Sequence, residues 1–190
     1  MHLFMTSQVK VIGVNGFGRI GRYFTRLSLQ QASLDVAVVN DLAPIETLAH
    51  LFKYDSVHGG LKVDFKREGN ALVFENGKKI VFTQEKNPAN IPWSEYGVNY
   101  VLESTGLFLT RETAQAHLGG TVQKVILSAP ANDDTKTIVL GVNDSLIEAT
   151  DIILSNASCT TNSAAPLVQV LLEMAEIESA YITTIHSYTT

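Results

Sequence analysis

The chain has 190 residues, 45% of them hydrophobic and 17% charged, which suits a compact α/β protein with a sizeable core. A net charge of −5 gives no electrostatic case for nucleic acid or a membrane as main partner, and no apolar run approaches the ~20 residues that span a bilayer. The single cysteine cannot close an internal disulfide, and Met1 to Met5 lacks the length and basic start of a secretory signal, so Met5 reads as the natural first residue and the cytoplasm as the default location.

Val9-Lys-Val-Ile-Gly-Val14 is a β-branched strand candidate running straight into Asn15-Gly-Phe-Gly-Arg-Ile-Gly21, after which Arg22 to Gln30 continues as a helix. Gly16, Gly18 and Gly21 form G-x-G-x-x-G: the first for a tight turn, the second for approach of the backbone to a pyrophosphate, the third for close packing of helix on strand. A second strand, Asp35 to Asn40, ends in Asp41, about 20 residues beyond the last glycine. A carboxylate there accepts from a ribose 2′-hydroxyl and repels a 2′-phosphate, which favours NAD over NADP. The competing reading is that Asn40-Asp41 only ends a strand and opens a turn.

Ile45 to Phe52 has helical spacing, and Lys53 to Gly60 is a polar loop. Leu61 to Phe65, Ala71 to Phe74 and Lys79 to Phe82, separated by Gly69-Asn70 and Asn76-Gly77, predict a small antiparallel ribbon. Lys86 follows it, and Ile91 to Gly97 is a short helix candidate with Pro92 in its first turn. His50, His58 and His117 lack metal-ligand spacing and read as ordinary surface or loop residues.

The alternation then resumes. Tyr100 to Glu103 is a strand ending on Ser104-Thr-Gly106, Arg111 to Leu118 a helix, and Lys124 to Ser128 a strand closing on Ala129-Pro130; Ile138 to Val142, Asp144 to Ala149 and the strand Asp151 to Leu154 complete the set. Strands alternating with helices imply a doubly wound, mostly parallel sheet of the Rossmann type with a small antiparallel insertion, its ligand lying beyond the C-terminal strand ends. Gly16, Asp41, Thr105, Ser128 and Cys159 all fall on that edge.

Cys159 lies in Ser155-Asn-Ala-Ser-Cys-Thr-Thr161, between a strand and an apolar helix from Ala164 to Met174. A thiol at a helix N-terminus meets unpaired N–H groups and the positive end of the dipole, both of which favour the thiolate. Ala180 to Ile185, a further strand candidate, leads to His186, a residue able to take the thiol proton although the two stand 27 positions apart.

Taken in register, Asn15 to Gly21, Lys53-Tyr-Asp-Ser56 with His58-Gly59, Glu103 to Gly106, Ser128 to Pro130, Ser155 to Asn162 and Thr184 to Thr189 resemble the phosphorylating glyceraldehyde-3-phosphate dehydrogenases of bacteria. The resemblance implies that Cys159 attacks the aldehyde of glyceraldehyde 3-phosphate, that His186 is its acid/base partner, and that inorganic phosphate cleaves the resulting thioester to 1,3-bisphosphoglycerate. It places Ser158, Thr160 and Thr189 at the substrate, and Asn15, Gly16, Phe17, Gly18, Arg19, Ile20, Asp41, Lys86, Thr105, Gly106 and Ser128 at NAD. It implies an NAD-binding domain over 8–158, the beginning of a truncated catalytic domain over 159–190, and a homotetramer for the intact protein. Ser163 stands where family members commonly carry a second cysteine, which is not the nucleophile. The sister activity on erythrose 4-phosphate, and an NAD-binding fragment without turnover, are the alternatives.

Overall fold

The computed structural model describes residues 9–187; Met5 and Thr189 lie outside them. Its centre is a sheet of eight strands: β1 (Lys10–Asn15), β2 (Leu34–Asn40), β3 (Phe65–Glu68), β4 (Ala71–Phe74), β5 (Lys79–Thr83), β6 (Tyr100–Glu103), β7 (Lys124–Leu127) and β8 (Ile153–Ser155), in the order β3-β4-β5-β2-β1-β6-β7-β8. From β5 through β8 every pairing is parallel, whereas β3 with β4 and β4 with β5 are antiparallel. The chain leaves β1 toward β2 and later returns to β6 on the other side of β1. That reversal opens a crevice at the carboxyl ends of the strands, where ligands of such sheets bind.

Among the described residues four α-helices accompany the sheet: α1 (Arg19–Ser28), α2 (Ile45–Lys53), α3 (Arg111–Ala114) and α4 (Cys159–Met174). Alternate strand residues feed two cores on opposite faces. Ile12, Val14, Phe52, Leu72, Ile80 and Phe82 pack on the side of α1 and α2; Val38, Trp93, Val98, Val101, Val125 and Leu127 pack on the other.

Several expected elements differ, each for a reason of partnership. The strand expected at 61–65 begins only at Phe65, because the tight turn at Gly69-Asn70 fixes the register Phe65↔Phe74 to Glu68↔Ala71. Segment 138–142 is not a strand: only Thr137 makes an isolated bridge, to Ser155, and Gly141 turns the chain at φ 80°. Segment 144–149 holds a single 3-10 turn, Asp144–Leu146, and the helix expected over 111–118 changes to 3-10 form at Gln115–His117. Segment 180–185 has no regular secondary structure and joins no strand of the sheet, which ends at β8, and Tyr181 and Ile185 are 97% and 99% exposed. Helix α4 likewise has no buried residue, although Leu167, Val170, Leu171 and Leu172 are apolar.

Glycine is required at Gly21 by distance alone, because a Cβ there would stand 2.1 Å from the Gly16 carbonyl oxygen; at Gly18 it would meet nothing within 4 Å. Gly21→Ala should therefore lower unfolding stability by about 1–3 kcal/mol through overpacking. Gly18→Ala should cost less than about 1 kcal/mol, through a weaker helix cap. Urea midpoints of the two variants measure the contrast.

Candidate active site

The parallel strands deliver their C-terminal residues to one rim. At the end of β1, Gly16 (φ 89°) turns against β6, where a Cβ would lie 2.8 Å from the backbone of Ser104 and Thr105. The Ser104 hydroxyl donates to the Gly16 carbonyl at 2.7 Å and clamps the turn. Gly18 then serves as N-cap of α1 without a side-chain cap, and the space where its Cβ would stand is empty to 4 Å. Such a terminus is suited to a phosphate.

Phe17 does not reach into that space: its ring is buried edge-on to Phe82, with centroids 5.3 Å apart. Its N–H donates to Asp41 Oδ2 at 2.7 Å, while Asp41 Oδ1 accepts from Ala43 N–H at 2.9 Å. Asp41 thus braces the glycine turn and opens the next one, and each oxygen keeps a lone pair for a further donor. Asn15, Gly16, Gly18, Asp41, Lys86 and Thr105 line an open cleft of about 310 Å³. An uncapped helix start, a half-buried carboxylate and the ammonium of Lys86 around it fit a dinucleotide. Gly106, exposed at φ 75°, follows Thr105 at the mouth. Leu107 and Phe108 join the lining; sequence reasoning missed both, although an apolar pair after Thr-Gly at a strand end was a usable signal.

On the same rim β8 ends at Ser155, whose hydroxyl donates to the Ala129 carbonyl at 2.8 Å and accepts from Ala157 N–H at 3.1 Å. Ala157 is buried with φ 59°, a left-handed conformation that costs a non-glycine residue about 1 kcal/mol and turns strand sharply into helix. Asn162 fastens the turn from the helix side, donating to the carbonyls of Asn156 at 2.6 Å and Ser158 at 3.0 Å. Ser158 caps α4 by accepting from Thr161 N–H at 3.0 Å, and Cys159 is the first helical residue.

The exposed Cys159 Sγ lies 3.3 Å from His186 Nε2. His186 Nδ1–H donates to the Ser187 carbonyl at 2.7 Å, which leaves Nε2 as the nitrogen that exchanges a proton with sulfur. The His186 hydrogen bond draws the thiol below its ordinary pKa; desolvation, next in weight, opposes it, and the imidazolium charge and the N–H groups of Thr160 and Cys159 itself assist. His186 is raised in turn, first by its bond to Cys159, then by its bond to the Ser187 carbonyl and the thiolate charge; desolvation and the Arg19 charge oppose this. The opposing Arg19 charge acts from the start of α1, the element that also borders the cleft.

Ile20 and Ser128 join Cys159 in lining a second, largely apolar cavity of about 420 Å³ between α1, the sheet and α4. Thr160 stands on the far side, its hydroxyl 2.9 Å from that of Ser158, in a groove shared with Thr184. Thr189 lies outside the described residues. His117 corrects the expectation of a surface histidine. It is buried and takes the Trp93 indole N–H on Nδ1 at 3.2 Å, with Glu103 Oε2 2.9 Å from Nε2. Glu103 is also buried; no local pattern marks either residue.

The model of the glyceraldehyde 3-phosphate dehydrogenase NAD binding domain matches residues 10–111, and that of the C-terminal domain of the same enzyme matches residues 158–190. The chain is 50% identical over 179 residues, 94% of its own length, to glyceraldehyde-3-phosphate dehydrogenase 1 of Bacillus cereus and to glyceraldehyde-3-phosphate dehydrogenase of Geobacillus stearothermophilus. A relative of the same name from the fungus Cochliobolus heterostrophus is 49% identical over 180 residues, again 94% of this chain. The chain spans about half the length of these relatives, 53%, 53% and 52% respectively. With both domain models matched in order across a dinucleotide cleft and an exposed cysteine–histidine pair, the chain belongs to the glyceraldehyde-3-phosphate dehydrogenase family.

Proposed function

We propose that the protein acts in the NAD-dependent oxidative phosphorylation of glyceraldehyde 3-phosphate to 1,3-bisphosphoglycerate, with Cys159 as nucleophile and His186 as acid/base partner. The observation that carries this reading is the 3.3 Å contact of Sγ with Nε2 at the start of α4, on the rim that also carries the dinucleotide cleft. In the proposed sequence the thiolate forms a C–S bond to the aldehyde carbon, and the imidazolium of His186 protonates the former carbonyl oxygen to give a hemithioacetal. Neutral His186 then removes that hydroxyl proton as the carbonyl re-forms and the C–H hydride leaves, producing a thioester. NAD, when bound, supplies the hydride acceptor. A phosphate oxygen attacks the thioester carbonyl, the C–S bond breaks and the thiolate is regenerated.

Asn15, Gly16, Gly18, Asp41, Lys86 and Thr105 are the candidates to hold the dinucleotide across the cleft. Phe17 contributes through its backbone, Arg19 and Ile20 from the first turn of α1, and Gly106 and Ser128 at the borders. Ser158, Thr160 and Thr189 are the candidates for substrate and phosphate. The division of the chain into 8–158 and 159–190, assembly of the intact protein as a homotetramer and a cytoplasmic location belong to the same proposal. Among the described residues no helix is long and apolar enough to cross a membrane.

A second reading, a dinucleotide-binding unit without turnover of its own, draws on the bare surface of α4, none of whose residues is buried. Titrating the 190-residue chain with NAD and then assaying it separates the two: binding without NADH formation favours the unit. For the leading reading, phosphate-dependent NADH formation from glyceraldehyde 3-phosphate is expected, with loss to background in Cys159→Ser. Turnover with erythrose 4-phosphate that needs no phosphate would reassign the chain to the sister activity. Asp41→Ala is expected to weaken NAD binding by about tenfold and to narrow its advantage over NADP, read as the ratio of the two dissociation constants. An unchanged ratio would remove Asp41 from cofactor selection.

A further inference from the structure

Beneath the dinucleotide cleft, and outside its lining, lies a buried carboxylate with no cation beside it. Glu103 is fully buried at the end of β6, and its two oxygens receive every donor within reach. Oε1 accepts from Thr105 N–H at 2.8 Å and from the Thr105 hydroxyl. Oε2 accepts from Asn15 Nδ2 at 2.6 Å and lies 2.9 Å from His117 Nε2. The indole N–H of Trp93 can only donate, so His117 Nδ1 must be the acceptor of their 3.2 Å bond. The proton of the imidazole is therefore on Nε2 and points at Glu103, which completes a set of acceptor bonds fitting the carboxylate alone.

The belt continues across the rim. Asn15 Oδ1 accepts from Asn40 Nδ2 at 2.8 Å, and Asn40 Oδ1 accepts from the Thr83 hydroxyl at 2.9 Å and from Glu85 N–H at 2.8 Å. The ends of β6, β1, β2 and β5, neighbours in the sheet, are thus joined by one line of side chains. Taking a carboxylate out of water costs several kcal/mol even when it is well satisfied, and an apolar pair at such a place is often as stable or more so. Glu103 is an expensive way to hold a sheet together. Two of its three partners, Asn15 and Thr105, line the cleft.

We propose that Glu103 is the positioning residue of the dinucleotide cleft: it touches no ligand itself, but by taking the donors of Thr105 and one from Asn15 it fixes the Asn15 side chain and the Thr105 turn that line the cleft. The His117–Trp93 pair locks it from the rear. This rests on the reading of the cleft as the NAD site.

The test compares the 190-residue chain with Glu103→Gln, which keeps the shape but turns one oxygen into a donor facing donors. The readouts are backbone hydrogen exchange at Thr105 and at Gly16 to Gly18 without cofactor, NAD affinity by calorimetry, and the alkylation rate of Cys159. The proposal expects faster exchange at these amides, NAD affinity weakened about 10- to 100-fold, and an unchanged Cys159 rate. Non-additive losses of affinity in Glu103→Gln combined with Thr105→Ala would show that Glu103 acts through Thr105. Unchanged exchange and affinity overturn the proposal, as does a loss spread equally to Cys159, which would mark a merely structural role. A wild-type chain that binds no NAD refutes the reading of the cleft, while exchange at Thr105 still decides whether Glu103 positions it. Should Glu103→Gln fail to fold, His117→Phe takes its place: weaker NAD binding together with a shifted Trp93 emission is expected, and wild-type affinity overturns the proposal.

Discussion

Peptide N–H groups left unpaired at the starts of α1 and α4 are the constraint around which the rim of this molecule is arranged. Because the pairings from β5 to β8 are parallel, the chain leaves each of these strands at the same edge, and a helix that follows directly begins there. The two helix starts are finished differently. Gly18 offers α1 no side-chain cap, which leaves its N–H groups free for an outside anion, while Ser158 caps α4 and the N–H groups of Cys159 and Thr160 turn to the thiolate. One helix start suits a ligand phosphate and the other suits the chain's own sulfur anion. Parallel topology thus brings a dinucleotide cleft and an exposed thiol to one edge before any side chain is chosen.

Side-chain chemistry then fixes distances on that edge. Asp41 is joined to Phe17 N–H, Ser104 to the Gly16 carbonyl, Asn162 to the carbonyls of the β8 turn, and Ser187 to the rear of His186. The first two bonds tie separate elements together, and the others hold a turn or a ring within its own segment. The apolar cavity that Ile20 and Cys159 share, and the bare face of α4, are where this organisation stops. A helix so rich in leucine, valine and alanine is a core element by composition, yet among the described residues none of its side chains is fully buried.

What the sequence made legible was whatever depends on local pattern. The glycine turn, Asp41 and the strands from β1 to β8 that have neighbours could be read because tight turns, buried β-branched runs and charge at a strand end each leave a short-range mark. The thiol at a helix start was legible for the same reason, although the helix begins at Cys159 itself and not at Ala164. Segments 138–142 and 180–185 show the limit: β-branched runs become strands only where a neighbour completes the ladder, and the first has only its start beside Ser155 before Gly141 turns it, while the second pairs with no strand. Ala157 hid a left-handed turn because no glycine marks it. The Glu103–His117–Trp93 line joins residues far apart in sequence, and a lone buried histidine carries no periodic signature.

The central claim is that Cys159 is held as a thiolate by His186 at the start of α4, and the rate of its alkylation by iodoacetamide across pH tests this most directly. The thiolate is the reactive form, so the rate should rise as pH climbs through the lowered pKa of the thiol, below the ~8.5 of a free cysteine. His186→Asn removes the hydrogen bond and the charge, and should move that rise up toward the free value. A wild-type profile centred at the free-cysteine value, or one that His186→Asn leaves in place, would contradict the pairing.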